Sequence, residues 1–356
     1  MPERVVPDMG EVRGVGVGPE TGGTIMQRTN RHRGRLPKRL MALASLFVVG
    51  AGLLAAAPAA TAVPVPASKY RAYVFTYNMC GGDRGTGACP EAPGNGVVEE
   101  IRDRVKTYQP VAFALQEACH WQVVKLVAVL NADPTLKAKG LTYTADFLNA
   151  GSGMPVPSQC WGRRVPEAGT FAGPGWGNAV VHVGPRVNVA SRTLVEGTYS
   201  AQLWVVPRLV TKIQKRNYVC SLVQPYNLWM CSTHLDLDGT VRAKQIAELA
   251  KVTAGIRGRH VPPYPIVVGG DFNGGPKEMG SMLAGSYGGT GIFSEAAVPS
   301  GCLSFASICA IAPANLTEGG SKLDYLFTSP QVRVLDTYTL SAKSDHRILV
   351  NRIAFG

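Results

Sequence analysis

The chain has 356 residues, eight cysteines and a formal net charge of +12 at pH 7. This length is enough for one large domain with a full hydrophobic core. The positive charge favours polyanionic partners, namely nucleic acids or anionic lipid surfaces. No two cysteines have the CxxC spacing of zinc sites, so a zinc cluster is not expected.

The first 62 residues have the three regions of a secretory signal peptide. A basic run over 28–39 precedes an apolar stretch over 41–57, and Ala60-Thr61-Ala62 is a small-x-small cleavage site. The apolar stretch is short for a membrane span. We therefore expect a secreted protein with a leader over 1–62, a linker over 63–69 and one domain over 70–356.

All eight cysteines follow residue 62, and an even number in an exported chain indicates disulfide bonds. Eight cysteines can pair in many ways, and the sequence does not settle the pairing. Pairing of sequence neighbours predicts three bonds and leaves one remaining pair: Cys80–Cys89, Cys220–Cys231 and Cys302–Cys309, with Cys119–Cys160.

In the first half, β-rich runs predict strands over 70–79, 111–115 and 178–183. Helical spacing of apolar residues predicts a helix over 97–108, and a second helix is expected over 120–130. Between them and the third strand, residues 150–177 are rich in glycine and proline and predict a long loop.

In the second half, residues 197–232 predict several antiparallel strands, the last over 226–232. An amphipathic helix is predicted over 241–256. The β-branched run 266–268 predicts a buried strand that Gly269 and Gly270 end. A Gly/Ser-rich stretch over 274–322 precedes the last strands, at 323–328 and 348–354.

Polar residues that bind metal or transfer protons recur where these strands end. One such ending is typical of an Asx turn or a helix cap. Six of them indicate a site, because strand ends of stacked sheets meet at one rim. The residues concerned are Asn78, Glu117, His234, Asp271 with Asn273, Asp324, and Asp345 with His346.

The fragments that hold these residues resemble the endonuclease/exonuclease/phosphatase superfamily, which includes pancreatic-type deoxyribonuclease, bacterial sphingomyelinases and inositol polyphosphate phosphatases. They are YNM (77–79), LQEA (115–118), STHLD (232–236), GGDFN (269–273), LDYLF (323–327) and SDH (344–346). The resemblance covers 70–356 and implies an α/β fold, a four-layer sandwich of two mixed sheets face to face with helices outside. Cys80, Cys119 and Arg347 depart from the usual pattern beside the motifs.

The resemblance and the chemistry of phosphodiester hydrolysis imply the same roles. Asn78, Glu117 and Asp345 would hold Mg²⁺, with Mn²⁺ or Ca²⁺ as alternatives. Asp271 would deprotonate the attacking water, and Asn273 would position the water or the phosphoryl group. His234 and His346 would donate hydrogen bonds or protons, with Asp324 keeping His346 in its useful tautomer.

Substrate contacts are expected from Asn178 and from the loop residues Arg163, Arg164 and Trp176, which with Trp161 would stack on and pair with a nucleic-acid strand. The alternative for the loop aromatics is packing of the loop itself. Three further histidines match no motif, and we interpret them as structural: His120, His182 and His260.

We therefore predict a secreted metal-dependent phosphodiesterase that hydrolyses nucleic acid. One rival is a sphingomyelinase-like or inositol-phosphate phosphoesterase acting at a phospholipid surface, with 203–206 as the candidate membrane hairpin. Another is a toxin-like or binding subunit with little catalysis. A monomer without an obligate protein partner is expected.

Overall fold

A computed structural model describes residues 69–80, 96–150, 156–194, 197–202, 209–298, 301 and 311–356. The predicted leader, the linker up to residue 68, the 203–206 hairpin, Cys89, Cys302 and Cys309 lie outside these residues. The domain boundaries therefore stay predictions. Among the described residues, no helix is long and apolar enough to cross a membrane.

Four helices and fifteen strands form the described structure. The helices are α1 Gly96–Tyr108, α2 His120–Ala132, α3 Pro134–Ala138 and α4 Gly239–Arg257. The strands are β1 Tyr70–Asn78, β2 Ala112–Cys119, β3 Tyr143–Asn149, β4 Arg163–Val165, β5 Thr170–Ala172, β6 Trp176–Val183, β7 Val189–Thr193, β8 Gly197–Gln202, β9 Leu209–Gln214, β10 Asn217–Val223, β11 Leu228–His234, β12 Ile266–Asp271, β13 Asp324–Thr328, β14 Arg333–Leu340 and β15 Ile348–Phe355.

Two mixed sheets form the centre of the domain. One has six strands in the order β14-β15-β1-β2-β6-β3, and the other has five in the order β13-β12-β11-β10-β7. One apolar cluster joins the sheets to each other and to α1 and α2, whereas a second lies between the five-stranded sheet and α4. This arrangement confirms the predicted four-layer sandwich with helices outside.

The prediction that Gly269 and Gly270 end the strand is wrong. They lie within β12, where Gly269 and Gly270 pair with β11. A Cβ at Gly269 would lie 3.1 Å from side-chain atoms of Thr76 and Ala114 in the facing sheet. Glycine therefore allows the close approach of the sheets that brings β12 beside β1.

The strands that the sequence did not predict are mostly sheet edges. β3 and β14 are the edges of the six-stranded sheet, and β7 is an edge of the five-stranded sheet. Most of their side chains are partly or fully exposed, as in β14, so apolar alternation is weak. The buried strands β6, β11 and β13 were predicted to within a few residues, although β13 is itself a sheet edge.

Two of the four predicted disulfides lie in the described structure. Cys119–Cys160 and Cys220–Cys231 are bonded, the second across β10 and β11. Cys80 is also disulfide-bonded. Its predicted partner Cys89 and the Cys302–Cys309 pair lie outside the described residues.

Candidate active site

Strand register places three of the predicted residues side by side. On parallel β11 and β12, His234 pairs with Asp271, and on antiparallel β12 and β13, Asp271 pairs with Asp324. Asn78 ends β1 in the facing sheet, and its Nδ2 donates to Asp271 Oδ2 at 3.0 Å. The two sheets are therefore joined by a direct hydrogen bond at this rim.

Glu117 lies at a bulge in β2. The pairing with β6 shifts between Leu115 and Ala118, and Glu117 has a φ of 53°. A bulge redirects the side chain of its strand, and positive φ in a non-glycine residue is uncommon outside functional sites. Burial raises the pKa of Glu117, although Arg216 and His346 act in the opposite direction.

Positive φ also occurs at two other strand ends of the site, Cys80 (51°) and Asn273 (51°). Asn273 N donates to Asp271 Oδ1 at 2.9 Å, which is an Asx turn. Its side-chain Nδ2 donates to Leu235 O at 2.9 Å. Asp271 and Asn273 therefore form an Asx turn and also belong to the site. Asn273 ties the loop after β12 to the loop after β11.

His346 is held between two carboxylates. Its Nδ1 lies 2.7 Å from Asp324 Oδ2, and its Nε2 lies 3.7 Å from Asp271 Oδ2. Burial by itself would lower the pKa of His346, but Asp324 and then Asp271 outweigh it and raise the pKa to about 10. His346 is therefore a cationic donor at neutral pH.

Asp271 has the opposite environment. Burial, followed by repulsion from Asp324, raises its pKa to about 7, while His346 and the hydrogen bonds from Asn273 and Asn78 limit the rise. A carboxylate that titrates near neutrality is suited to accept a proton from water. Of all the carboxyl groups in the cluster, Asp271 is the one in contact with both histidines.

His234 lies between Asp271 and Glu117. Its Nε2 is 3.4 Å from Asp271 Oδ2, and its Nδ1 is 3.8 Å from Glu117 Oε1. Burial, together with the charges of Arg216 and His346, holds its pKa well below the usual value. The ring is therefore neutral at pH 7, in contrast to His346.

A pocket opens beside Glu117 and His234. Its lining includes Arg216, which is 5% exposed, and Asn178, whose Nδ2 donates to Asn217 Oδ1 at 2.8 Å. The sequence analysis missed Arg216, since a Lys-Arg pair between two strands is typical of a solvated turn. Arg216 is buried, and its charge lowers the pKa of both Glu117 and His234, so it is part of the site.

The loop that holds Asp345 is fixed by Tyr77 and Glu318, to which the sequence analysis assigned no role. Ser344 N donates to Tyr77 Oη at 3.1 Å, which ties the loop to β1. Glu318 forms a backbone bridge with His346. Ligand atoms of Glu318, Asp345 and His346 lie within 4.8 Å of one another, so Glu318 joins the acidic side of the site.

The donor set fits a divalent cation. Asn78 hydrogen-bonds Glu117, and Asp345 acts on the same carboxylate electrostatically. Asp271, Asp324 and His346 form a further group with ligand atoms within 4.8 Å. Asp324 Oδ1 is buried without a hydrogen-bond partner. The cluster therefore has more carboxylate oxygens than hydrogen-bond donors to satisfy them, and oxygen ligands are those that Mg²⁺, Mn²⁺ and Ca²⁺ prefer.

Of the expected substrate residues in the long loop, only Trp176 lines the pocket. Arg163 and Arg164 belong to the β4–β5 hairpin, and the Arg163 guanidinium lies 4.1 Å from the ring centre of Trp121. Trp176 lines the pocket but is only 9% exposed, because it packs in the cluster beneath the hairpin. Trp176 therefore supports the hairpin and does not present an open ring face.

The three unassigned histidines lie outside the catalytic cluster. His120 stacks on Phe147 with ring centres 4.9 Å apart, and His260 stacks on Tyr264 at 3.9 Å. His182 is fully buried on β6, with Nδ1 3.1 Å from the carbonyl oxygen of Val183. Packing contacts of this kind agree with the structural interpretation.

Residues 75–346 match the model of the Endonuclease/Exonuclease/phosphatase family. No curated protein matches the sequence. The fold is similar to the human Nocturnin catalytic domain with bound sulfate anion (19% identity, 80% of this chain and 95% of that chain, TM-score 0.48). It is also similar to the endonuclease/exonuclease/phosphatase of Bacteroides vulgatus (14%, 81% and 100%, TM-score 0.49) and to the mannosyl-6-phosphatase of Bacteroides thetaiotaomicron (14%, 80% and 100%, TM-score 0.48).

The matched span is well over half of the chain and includes every strand end of the cluster, from Asn78 to His346. Members of this family hydrolyse phosphoester bonds, and the convergence of carboxylates, histidines and a buried arginine agrees with that chemistry. The chain belongs to the endonuclease/exonuclease/phosphatase family.

Proposed function

We propose that this protein is a secreted, metal-dependent phosphodiesterase that hydrolyses nucleic acid. The observation that carries the proposal is the group Asp271, His346 and Asp324, joined to Glu117 beside a pocket lined by Arg216. A proton acceptor, a cationic donor and a fixed positive charge at one point are what phosphodiester hydrolysis needs.

Asn78, Glu117 and Asp345 would hold the cation, which we expect to be Mg²⁺. When bound, the cation neutralises phosphate charge and activates water. Glu117 is the side chain best placed for this role, since it lies at the pocket and Asn78 hydrogen-bonds it.

The protein side chains divide the proton transfers between them. Asp271 Oδ2 accepts the proton of the attacking water. Asp324 occupies Nδ1 of His346, which leaves the opposite ring nitrogen, Nε2, to donate to a phosphate oxygen. Arg216 stabilises the charge that develops on the phosphoryl oxygens in the transition state.

Nucleic acid is favoured over a small phosphate ester by the net charge after the leader, where 28 basic and 20 acidic residues leave +8, and by the exposed arginines of the β4–β5 hairpin. Two disulfides in the described structure support secretion, because such bonds persist in oxidising compartments. The monomeric state and the lack of an obligate partner stay predictions.

The test is a substrate panel on the purified chain, each reaction with Mg²⁺ or with chelator. Supercoiled plasmid, single-stranded RNA, sphingomyelin vesicles and inositol phosphates are compared, with Asp271→Asn prepared in parallel to exclude a contaminating nuclease. We expect nucleic-acid cleavage that chelator and Asp271→Asn both abolish. Phosphocholine release without cleavage of either nucleic acid would contradict the proposal, as would no activity on any substrate.

A further inference from the structure

The β4–β5 hairpin carries exposed rings next to the site. Trp161 is 63% exposed and Phe171 is 64% exposed, and Arg164 beside them is also exposed. Among the residues whose burial is described, these are the only exposed Phe, Tyr or Trp side chains. We call Trp161, Arg164 and Phe171 the aromatic platform.

Two platform residues, Arg164 and Phe171, share one face of the hairpin, and Trp161 lies at its base. Arg164 pairs with Phe171 across the two strands, so both side chains lie on the same face. A Cβ at Gly162 would lie 2.8 Å from the Phe171 ring, which shows that the ring packs directly over Gly162. Trp161 directly precedes Gly162 in the chain, and both rings are exposed.

The opposite face anchors the hairpin to the catalytic strand. The Cys119–Cys160 disulfide joins the hairpin base to the residue two positions after Glu117. Trp121 Nε1 and Arg163 Nη2 both donate to Gln159 O, at 2.8 and 2.9 Å. A surface fixed in this way loses little conformational entropy when a ligand binds.

The anchor also connects the platform to the pocket. Val165 and Ala172, on the covered face, pack in one cluster with Trp176. Trp176 in turn lines the pocket together with Glu117 and Arg216. Trp176 therefore belongs both to the cluster under the hairpin and to the pocket lining.

The end of the hairpin argues against insertion into a membrane. The turn between the strands contains Glu167, whose carboxylate lies 3.4 Å from Lys125 Nζ on α2. A hairpin that enters lipid needs an apolar tip, whereas this tip is acidic and tied to a helix. The exposed rings lie at the base and on the face of the hairpin, together with an exposed arginine, which is the composition of a surface for stacking bases.

We propose that the aromatic platform stacks on unpaired bases of the strand that is cleaved, so that single-stranded nucleic acid is the preferred substrate. This inference rests on the proposed function, because it assigns the substrate class of the same site. Bases in a duplex have both faces covered by their neighbours, so a strand must be unpaired or unstacked to bind in this way.

The experiment measures kcat/KM with Mg²⁺ on a single-stranded oligonucleotide, on the same sequence annealed to its complement, and on bis(p-nitrophenyl) phosphate as a small diester. The variants are Trp161→Leu and Phe171→Leu, which keep apolar area but lack a flat ring. Val261→Ala is the matched control, since Val261 is 98% exposed and lies outside the hairpin. Arg164→Gln tests the charge.

We expect the wild type to prefer the single strand. Each leucine variant should lower kcat/KM on the single strand by roughly tenfold relative to the small diester, mainly through KM. Arg164→Gln should reduce the dependence of log KM on log salt concentration by about one. Val261→Ala should leave these ratios unchanged.

Equal cleavage of duplex and single strand by the wild type, or leucine variants that match it on the single strand, would overturn the inference and leave the proposed function intact. Loss of binding to sphingomyelin vesicles in the leucine variants, with unchanged oligonucleotide kinetics, would also overturn it in favour of a lipid surface. No hydrolysis of any of the three substrates by the wild type would instead refute the proposed function.

Discussion

Two buried aspartate–histidine pairs of the described structure differ in their surroundings: His346 with Asp324 lies in the site, and His182 with Asp146 lies outside it. In the site pair, His346 Nδ1 and Asp324 Oδ2 are 2.7 Å apart. In the other pair, His182 Nε2 and Asp146 Oδ2 are 3.6 Å apart, and both side chains are almost fully buried. Because the residue types and the burial are similar, the neighbouring side chains must account for the presence of one pair in the site and the structural role of the other.

Asp146 has a cationic partner in addition to its histidine. Ser221 Oγ donates to it at 2.7 Å, and the Arg186 guanidinium forms an ion pair with it. Burial alone would raise its pKa, but hydrogen bonds from His182 and Ser221 and the charge of Arg186 lower it. Asp146 is therefore a charge-balanced link between β3 and β10.

Carboxylates are in excess around His346. Asp324, Asp271 and Asp345 all raise its pKa. Charges that converge without full compensation are costly to a fold and are typical of functional sites. An acid–histidine pair is thus structural where its neighbours balance it and functional where they leave charge for a ligand.

The largest expected effect comes from removing the proton acceptor or donor of the site. Asp271→Asn and His346→Ala should each lower kcat by roughly 10³-fold or more, because they act on the transition state. Their far-UV spectra should match the wild type. The control is His260→Ala, since that ring contacts Tyr264 and Trp229 and none of the site residues named here. Near-wild-type kcat in either site variant would remove the mechanism.

Asp324→Asn should lower kcat by roughly 10- to 100-fold, since it removes the carboxylate that orients His346. The matched control is Asp146→Asn, which makes the same change in the other pair and should leave kcat unchanged. Steady-state kinetics on one phosphodiester substrate measure both. Similar losses in the two variants would show that the pairs do not differ in function.

The arginine of each pair allows a third comparison. Arg216 is 5% exposed, whereas the side chain of Arg186 is 64% exposed. Arg216→Gln should lower kcat/KM by about tenfold, because it removes a fixed charge from the pocket. Arg186→Gln should have no effect on kcat/KM, and a larger loss there than in Arg216→Gln would contradict the assignment.

The smallest effect on activity is expected from Asp146, whose role is stability. Ser221→Ala or Asp146→Asn should lower the free energy of unfolding by about 1–3 kcal/mol at pH 7. Because folding lowers the pKa of Asp146, its stabilisation is complete above about pH 4 and is lost as pH falls through the folded-state pKa. Denaturant titrations at pH 7 and pH 3 measure this.

The difference in stability between wild type and Asp146→Asn should therefore shrink on acidification. A difference that is constant across this range, or that grows at pH 3, would show that the carboxylate charge is not what stabilises the link. Kinetic parameters measured at pH 7 on the same samples should match the wild type.

Much of the site could be predicted because its residues follow buried strands. Asp271 and His234 end runs of apolar residues that are recognisable without a structure. Edge strands such as β14 were missed because they are half exposed, and the role of Gly269 was misread because a turn and a close sheet contact both favour glycine.

By itself, the sequence determined the interior strands, the polar residues at their ends and the family. Only the tertiary structure decided which residues meet: it placed Arg216 in the pocket, balanced His182 with Asp146, and buried Trp176 while leaving Trp161 exposed. The reason is that local periodicity reports which face of a strand is buried. Contacts between residues far apart in sequence depend on strand order and on register between sheets, and local pattern does not contain either.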